Sequence, residues 1–254
     1  MAGKRRFGRI RKLPSGRFQV RYPGPDGVDR PAPQTFRTKT DAERWLVKIE
    51  AEIRDGRWLD PDAGKVTVGE WADRWYDSVC LGLKAKTRAV YEGLIRLWIK
   101  PRLGSYPLIS VRPITVAEWV AGLRKAGLSA SRIRTAYRVL SQIMQTAADN
   151  DMIPATPCRG IKLPRLPETE PHILTDDEVT KLIAGMRPPH DLLVKLLAYG
   201  GLRIGEAFAL RRDDVQIDGT SLVIDEAVEE VGGRHAWGTT KSHSKRKIAA
   251  TVPC

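Results

Sequence analysis

The chain has 254 residues, 42% of them hydrophobic, and a formal net charge of +13 at pH 7. That length holds roughly two domains, each able to bury a core, and the apolar content with seven tryptophans excludes a disordered polymer. No apolar run approaches the roughly 18 residues of a membrane span and no apolar signal segment follows Met1-Ala-Gly-Lys-Arg-Arg6, so the expectation is a soluble, cytoplasmic protein with no membrane partner.

The charge is unevenly spread. Residues 1–66 carry 16 Lys and Arg against 9 Asp and Glu, residues 67–165 carry 16 against 7, and residues 166–254 carry 11 against 14. A polyanionic partner accounts for a basic excess confined to the first two-thirds, because each phosphate neutralised releases condensed counterions. Solubility and attraction to anionic lipid also favour basic surfaces, but no basic amphipathic helix here ends in an apolar anchor face. Cys80, Cys158 and Cys254 are far apart and form no Cys-x-x-Cys pair, so neither a disulfide framework nor a zinc site is expected, and no cofactor or metal is implied.

Along the chain, residues 16–22 alternate with period two, Phe18, Val20 and Tyr22 on one face and Arg17, Gln19 and Arg21 on the other. A turn at Pro23-Gly-Pro-Asp-Gly27 follows. Thr40-Asp-Ala-Glu43 reads as a capping box for a helix with Ala42, Trp45, Leu46, Ile49 and Ile53 along one stripe. The first block, residues 1–60, is therefore a small three-stranded sheet covered on one face by a helix. The second, residues 66–160, is all-helical, with helices predicted at 68–79, 85–99, 115–126 and 129–149. Thr115-Val-Ala-Glu118 caps the third helix, and Ile133, Ala136, Tyr137, Leu140, Ile143, Met144 and Ala147 line the fourth. A proline-rich linker, Ile153-Pro-Ala-Thr-Pro157 to Pro171, holds an extended path.

The third block, residues 170–254, opens with the capping box Thr175-Asp-Asp-Glu178. Helices are predicted at 176–185, 190–199 and 203–210, then a strand at 220–227 and a Gly232-Gly233 turn. The fold class is multidomain α+β, ending in a partial mixed α/β domain.

The most informative stretch is Leu197-Ala-Tyr-Gly-Gly-Leu-Arg203-Ile-Gly-Glu206. Gly200 and Gly201 break one helix just before another, placing Arg203 in the first turn. Glu206, three residues on, holds its guanidinium by a charge-assisted pair. So fixed, Arg203 presents a rigid fork suited to two phosphate oxygens; from these residues alone a solvated surface pair is an equal reading. A second segment, Trp237-Gly-Thr-Thr-Lys241-Ser-His-Ser-Lys-Arg-Lys-Ile248, places Lys241 at or near a hairpin tip, where a lysine reaches a phosphate or a leaving oxygen, or is merely a solvated turn residue.

Together these segments, with Val66-Thr-Val-Gly-Glu-Trp-Ala-Asp73 at the start of the helical block, resemble the phage integrase family of tyrosine site-specific recombinases over nearly the whole chain. The resemblance implies an arm-type DNA-binding domain over 1–60, a helical SAM-like core-binding domain over 66–160, and the beginning of a catalytic domain over 170–254. It implies DNA integration and excision through a phosphotyrosine link, with self-association on DNA. Carried over by position, Arg203 is the first phosphate-binding arginine, Glu206 its orienting partner and Lys241 the general acid.

The family's His-x-x-Arg segment, later His or Trp, and nucleophilic tyrosine all follow the hairpin, whereas this sequence reaches Cys254 a few residues beyond it. The expectation is a chain incomplete for chemistry as written, its tyrosines at 22, 76, 91, 106, 137 and 199 all preceding the nucleophile's place. Tyr137 and Tyr199 read as helix core residues, and His235 and His243 do not match the family's histidine. Lys84, Lys86 and Arg88 at one helix start and Arg132, Arg134 and Arg138 at another are expected on the DNA backbone of core sites. Arg17, Gln19 and Arg21 are expected in a groove of arm-type sites, with Arg5 and Arg6 nearby. The competing reading is a non-catalytic DNA-binding protein that occupies attachment sites and competes with an intact recombinase.

Overall fold

A computed structural model describes residues 7–168, 170–216, 221–240 and 245–249. In chain order the helices and strands are β1 (Arg9–Lys12), β2 (Phe18–Pro23), β3 (Asp29–Pro31), α1 (Lys39–Arg54), α2 (Val68–Cys80), α3 (Ala85–Leu94), α4 (Lys100–Leu103), α5 (Pro113–Lys125), α6 (Ala130–Asp149), α7 (Asp176–Ala184), α8 (His190–Ala198), α9 (Ile204–Ala209), β4 (Ser221–Ile224), β5 (Glu226–Val231), β6 (Arg234–Thr239) and β7 (Arg246–Ala249). Two compact units result: Met1–Trp75 with Ile95–Pro164, and Tyr76–Leu94 with Arg165–Cys254. The architecture is multidomain α+β. Among the described residues, no helix is long and apolar enough to cross a membrane.

In the first unit β1, β2 and β3 form an antiparallel sheet in that order. The alternation in β2 works as period two requires: Val20 and Tyr22 are buried with Phe36, Ala42 and Leu46, and Trp45 and Trp58 pack around them. The helix cap lies two residues earlier than the sequence suggested. Thr38, not Thr40, is the N-cap of α1, its Oγ1 accepting from the Asp41 N–H at 3.1 Å; Asp41 supplies the first-turn carboxylate expected of Glu43.

The helical part of this unit is cored by Val68, Ala72, Trp119, Leu123 and the buried stripe of α6, from Ile133 to Ala147. Trp71 Nε1 donates to the Ile143 carbonyl at 3.0 Å, joining α2 to α6. Two expectations are corrected. Helix α5 starts at Pro113 with Arg112 at the N-cap, so Thr115 is its third residue, not its cap; proline's fixed φ favours that first position. The helix predicted over 85–99 ends at Leu94 and continues as one wide π-type turn, Ile95–Ile99, into α4. Pro101, one residue into α4, lacks the N–H of a regular helix and its ring opposes the carbonyl four residues back; the wider turn relieves both.

In the second unit the Thr175–Glu178 capping box is present, Glu178 accepting from the Thr175 N–H at 2.8 Å. The single strand predicted over 220–227 is two, interrupted at Asp225: β4 pairs with β7, and β5 with β6. Leu202, Leu222 and Ile224 are the buried centre of this unit's small core, with Leu196, Leu197 and Ile248 against them. Tyr199 is not a core residue; it stands at the C-cap of α8, 37% exposed, because the helix stops before turning it inward.

Candidate functional site

The segment Gly200–Glu206 is folded by its own residue types. Gly201 has φ +61°, a conformation that glycine adopts without penalty and that stops α8. Leu202 then drops into the core with Leu222 and Ile224 and anchors the turn. The next residue, Arg203, stays at the surface as N-cap of α9. Gly205 lets α9 lie directly on β5: a Cβ there would be 2.6 Å from the Val228 carbonyl oxygen.

Glu206 is reached from three directions. Its Oε2 accepts from the Arg203 backbone N–H at 2.9 Å and from Arg246 Nη2 at 2.5 Å, and its Oε1 accepts from Arg203 Nη1 at 2.9 Å. The Glu206 side chain is 1% exposed while that of Arg203 is 53% exposed, so the pair is not a solvated surface bridge. Burial by itself raises the Glu206 carboxyl, but the Arg203 N–H and guanidinium and the charge of Arg246 outweigh it and hold the group below the ordinary glutamate range. One carboxylate between two guanidinium ions leaves a net positive site whose outer cation is fixed from beneath, the arrangement an oxyanion requires.

Arg203 opens onto a cleft of about 780 Å³ in the same unit. Its walls are the apolar Ile204, Phe208, Val228 and Trp237 and the charged or polar Lys86, Glu229, Glu230 and His235. Arg211 stacks over the Trp237 ring at 4.8 Å and pairs with Glu226 at 2.8 Å. No tyrosine lines this cleft among the described residues. Also among the described residues, no group of three or more His, Cys, Asp and Glu is placed to hold a metal ion.

The other expected site residues fall in several places. Lys241, Arg5, Arg6 and His243 lie outside the described residues. The hairpin of β5 and β6 turns at Gly232-Gly233, before Lys241 in the chain. Lys84 does not present a free ammonium: Nζ donates to the carbonyls of Thr239 and Thr240 at 3.1 and 2.9 Å. Lys86 and Arg88 are exposed on α3, and Lys86 lines the cleft with Arg203. On α6, Arg132 and Arg138 are exposed, whereas Arg134 Nε is spent on the Pro164 carbonyl at 2.9 Å.

On the sheet, Arg17 donates to Thr35 and Arg21 to Asp29, while Gln19 stands half-buried opposite Arg11.

Three further residues were not singled out from the sequence. Arg9 and Arg11 lie opposite Arg21 and Gln19 across β1–β2 and extend that basic face; the alternation Arg9-Ile-Arg11 carried the signal, though over a short strand. Arg246 is the other: in Lys245-Arg-Lys-Ile248, period two puts residue 246 on the side of the apolar Ile248, hence facing inward.

Comparison with known proteins gives concordant results. A model of the phage integrase N-terminal domain matches residues 6–55, and one of the phage integrase N-terminal SAM-like domain matches residues 67–124. The phiRv2 prophage integrase of Mycobacterium tuberculosis (strain H37Rv) is 34% identical over 247 residues, covering 94% of this chain. The chain spans 64% of that relative's length. The integrase of Mycobacterium phage L5 is 32% identical over 261 residues, 98% of this chain and 68% of the phage protein. Among solved structures, the Tn1549 transposon integrase in complex with a circular intermediate DNA superposes with a TM-score of 0.63 at 24% identity, covering 73% of this chain and 61% of that one. A lambda integrase tetramer bound to a Holliday junction gives 0.60 at 20% identity, covering 96% and 69%. These two structural likenesses concern the fold.

Proposed function

Because the chain belongs to the phage integrase family of tyrosine recombinases, we propose that these residues bind double-stranded DNA for site-specific recombination, the strand exchange of integration and excision. In this reading residues 1–60 engage arm-type sites, residues 66–160 engage core sites, and residues 170–254 contribute the first part of the catalytic domain. Arg203 holds the scissile phosphate, Glu206 orients it, and Lys241 delivers the proton to the leaving oxygen. Catalysis of this kind works by fixed positive charge and donors around the phosphate. The observation that carries the reading is the buried Glu206 carboxylate beneath an exposed Arg203 at the mouth of a cleft. The DNA complexes of the transposon and lambda integrases support the choice of partner, and the lambda tetramer supports assembly on DNA.

We further propose that these 254 residues alone bind DNA without cutting it. The absence of a tyrosine among the described residues lining the cleft favours this, and with it the alternative role of occupying attachment sites in competition with an intact recombinase. Groups that act as one catalytic unit lose nearly everything when one is missing.

The test selects bound duplexes from random sequence with this chain, then offers the selected duplex carrying a nick that traps covalent intermediates. A salt-sensitive shift on native gels, with no adduct surviving denaturation, is expected. No shift overturns DNA binding; a denaturant-resistant adduct shows that a nucleophile lies within these residues and ends the competitor reading.

A further inference from the structure

Resting on Arg203 as the guanidinium that meets the phosphate, we propose that Arg246 is a positioning residue for the same site, acting through Glu206 to fix the orientation in which Arg203 presents its fork.

The placement of Arg246 follows from strand register. Across β4–β7, Arg246 stands opposite Ile224 and Ile248 opposite Leu222, so residues 246 and 248 share the face that packs on Leu202. Lys245, one residue earlier, lies 68% exposed on Asp225 instead. An arginine on the inward face is costly unless paired. Arg246 meets that cost with Glu206, and it also donates to the Gly201 carbonyl at 3.4 Å, so one guanidinium touches both the turn before Arg203 and the carboxylate after it.

The carboxylate divides its oxygens. Oε2 is held by the Arg203 backbone N–H and by Arg246, which leaves Oε1 for Arg203 Nη1. The terminal torsion of a glutamate is soft, with a broad range of permitted angles. Two donors on Oε2 remove that freedom, and the rigid carboxylate plane then dictates where Nη1 of Arg203 sits. Without Arg246, Oε2 keeps only the backbone N–H, and the carboxylate regains part of its torsional freedom and carries the Arg203 guanidinium with it.

Charge points the same way. Among the described residues, the other titratable groups lining the small cavity beside Glu206 are acidic: Asp214, Asp225 and Glu226. Each has its own partner, Asp214 accepting from the Arg211 N–H at 2.7 Å, Asp225 pairing with Lys245 at 3.4 Å and Glu226 with Arg211 at 2.8 Å. In that surrounding, the cations in direct contact with Glu206 among the described residues are Arg203 and Arg246.

The test uses the full isotopically labelled chain. Three signals are read by NMR in wild type, Arg246→Gln and Arg246→Lys, with Arg203→Ala for assignment. These are the rigidity of the Arg203 Nε–Hε bond, the titration of the Glu206 carboxyl carbon, and the Arg203 shift on adding inorganic sulfate, a phosphate mimic whose charge is constant across the carboxylate range.

In Arg246→Gln the Arg203 bond is expected to loosen, the Glu206 midpoint to rise, and the sulfate response to weaken. Arg246→Lys, which keeps the charge but loses the planar fork, should restore the Glu206 midpoint while leaving Arg203 partly loosened. An Arg203 bond as rigid as wild type in Arg246→Gln overturns the proposal; should that variant fail to fold, the same result in Arg246→Lys overturns it. If Arg203 loosens but wild-type Arg203 never responds to sulfate, positioning stands and the phosphate role falls.

Discussion

Glu206 is the residue on which the site turns, and its ionisation makes stability depend on pH. The folded state holds this carboxyl below its ordinary value, so between the two values it binds fewer protons than the unfolded chain. Its contribution is therefore full above about pH 5 and lost as pH falls through the ordinary glutamate value of about 4.3 toward the lower folded one. Glu206→Gln should cost about 2 kcal/mol at neutral pH, since one acceptor oxygen becomes an NH2 donor and two guanidinium ions lose the anion between them. In denaturant titrations the gap from wild type should narrow below about pH 4; a gap of constant size would place the stabilisation elsewhere. Cys158 gives a second check at this scale. Burial pushes its thiol up to about 11 against the opposing hydrogen bond with Thr156, so alkylation at neutral pH should be slow until the chain unfolds. Rapid labelling of Cys158 in the folded chain would contradict that burial. The Arg203–Glu206 spacing was legible because it is local, three residues on one helical turn. Whether the pair was a surface bridge or a buried one was not, because the burial of Glu206 comes from segments remote in the chain.

Among the elements, α9 and the strands beneath it carry the geometry. Gly205→Ala puts a methyl group 2.6 Å from a backbone carbonyl that cannot rotate away, so α9 must lift from β5. A melting midpoint lowered by the equivalent of about 1–3 kcal/mol is expected, and unchanged melting would show that the contact is looser than described. Lys84 ties the start of α3 to the end of β6 through two carbonyls. Lys84→Ala should accelerate amide hydrogen exchange in β6 while leaving β1 and β2 unaffected. Exchange in β6 equal to wild type would remove this structural role and restore Lys84 as a candidate DNA contact. Helix caps show how far local chemistry is readable. Thr175–Glu178 was identified correctly, whereas Thr40 lost to Thr38 and Thr115 to Arg112. In both misses more than one polar residue was eligible, and the choice was made by Asp41 in one case and by Pro113 in the other.

For the molecule as a whole, the basic charge of the first two-thirds is proposed to meet DNA phosphates. Exposed cations without an internal acceptor should each contribute to the salt dependence of binding. Lys86→Ala and Arg138→Ala should each lower the slope of log affinity against log salt by about one, with affinity falling alike on all sequences. A sequence-dependent loss would mean that either residue reads bases. Deleting residues 1–57 should abolish binding to accessory sites and spare core sites; unchanged site selection would dismiss two-site binding. The sequence by itself determined the periodic elements, the sheet-and-helix opening block, the apolar face of α6, and the Gly-Gly-Leu-Arg-Ile-Gly-Glu turn, because each depends on residues within a turn or two of one another. Tertiary structure alone decided that Lys84 is consumed 155 residues away, that residues 221–227 split between two sheets, and that Arg246 reaches Glu206 across 40 residues. Those outcomes depend on which strands pair and in which register. Strand pairing is a long-range choice governed by the burial of Leu202, Leu222 and Ile224, and no local pattern encodes it.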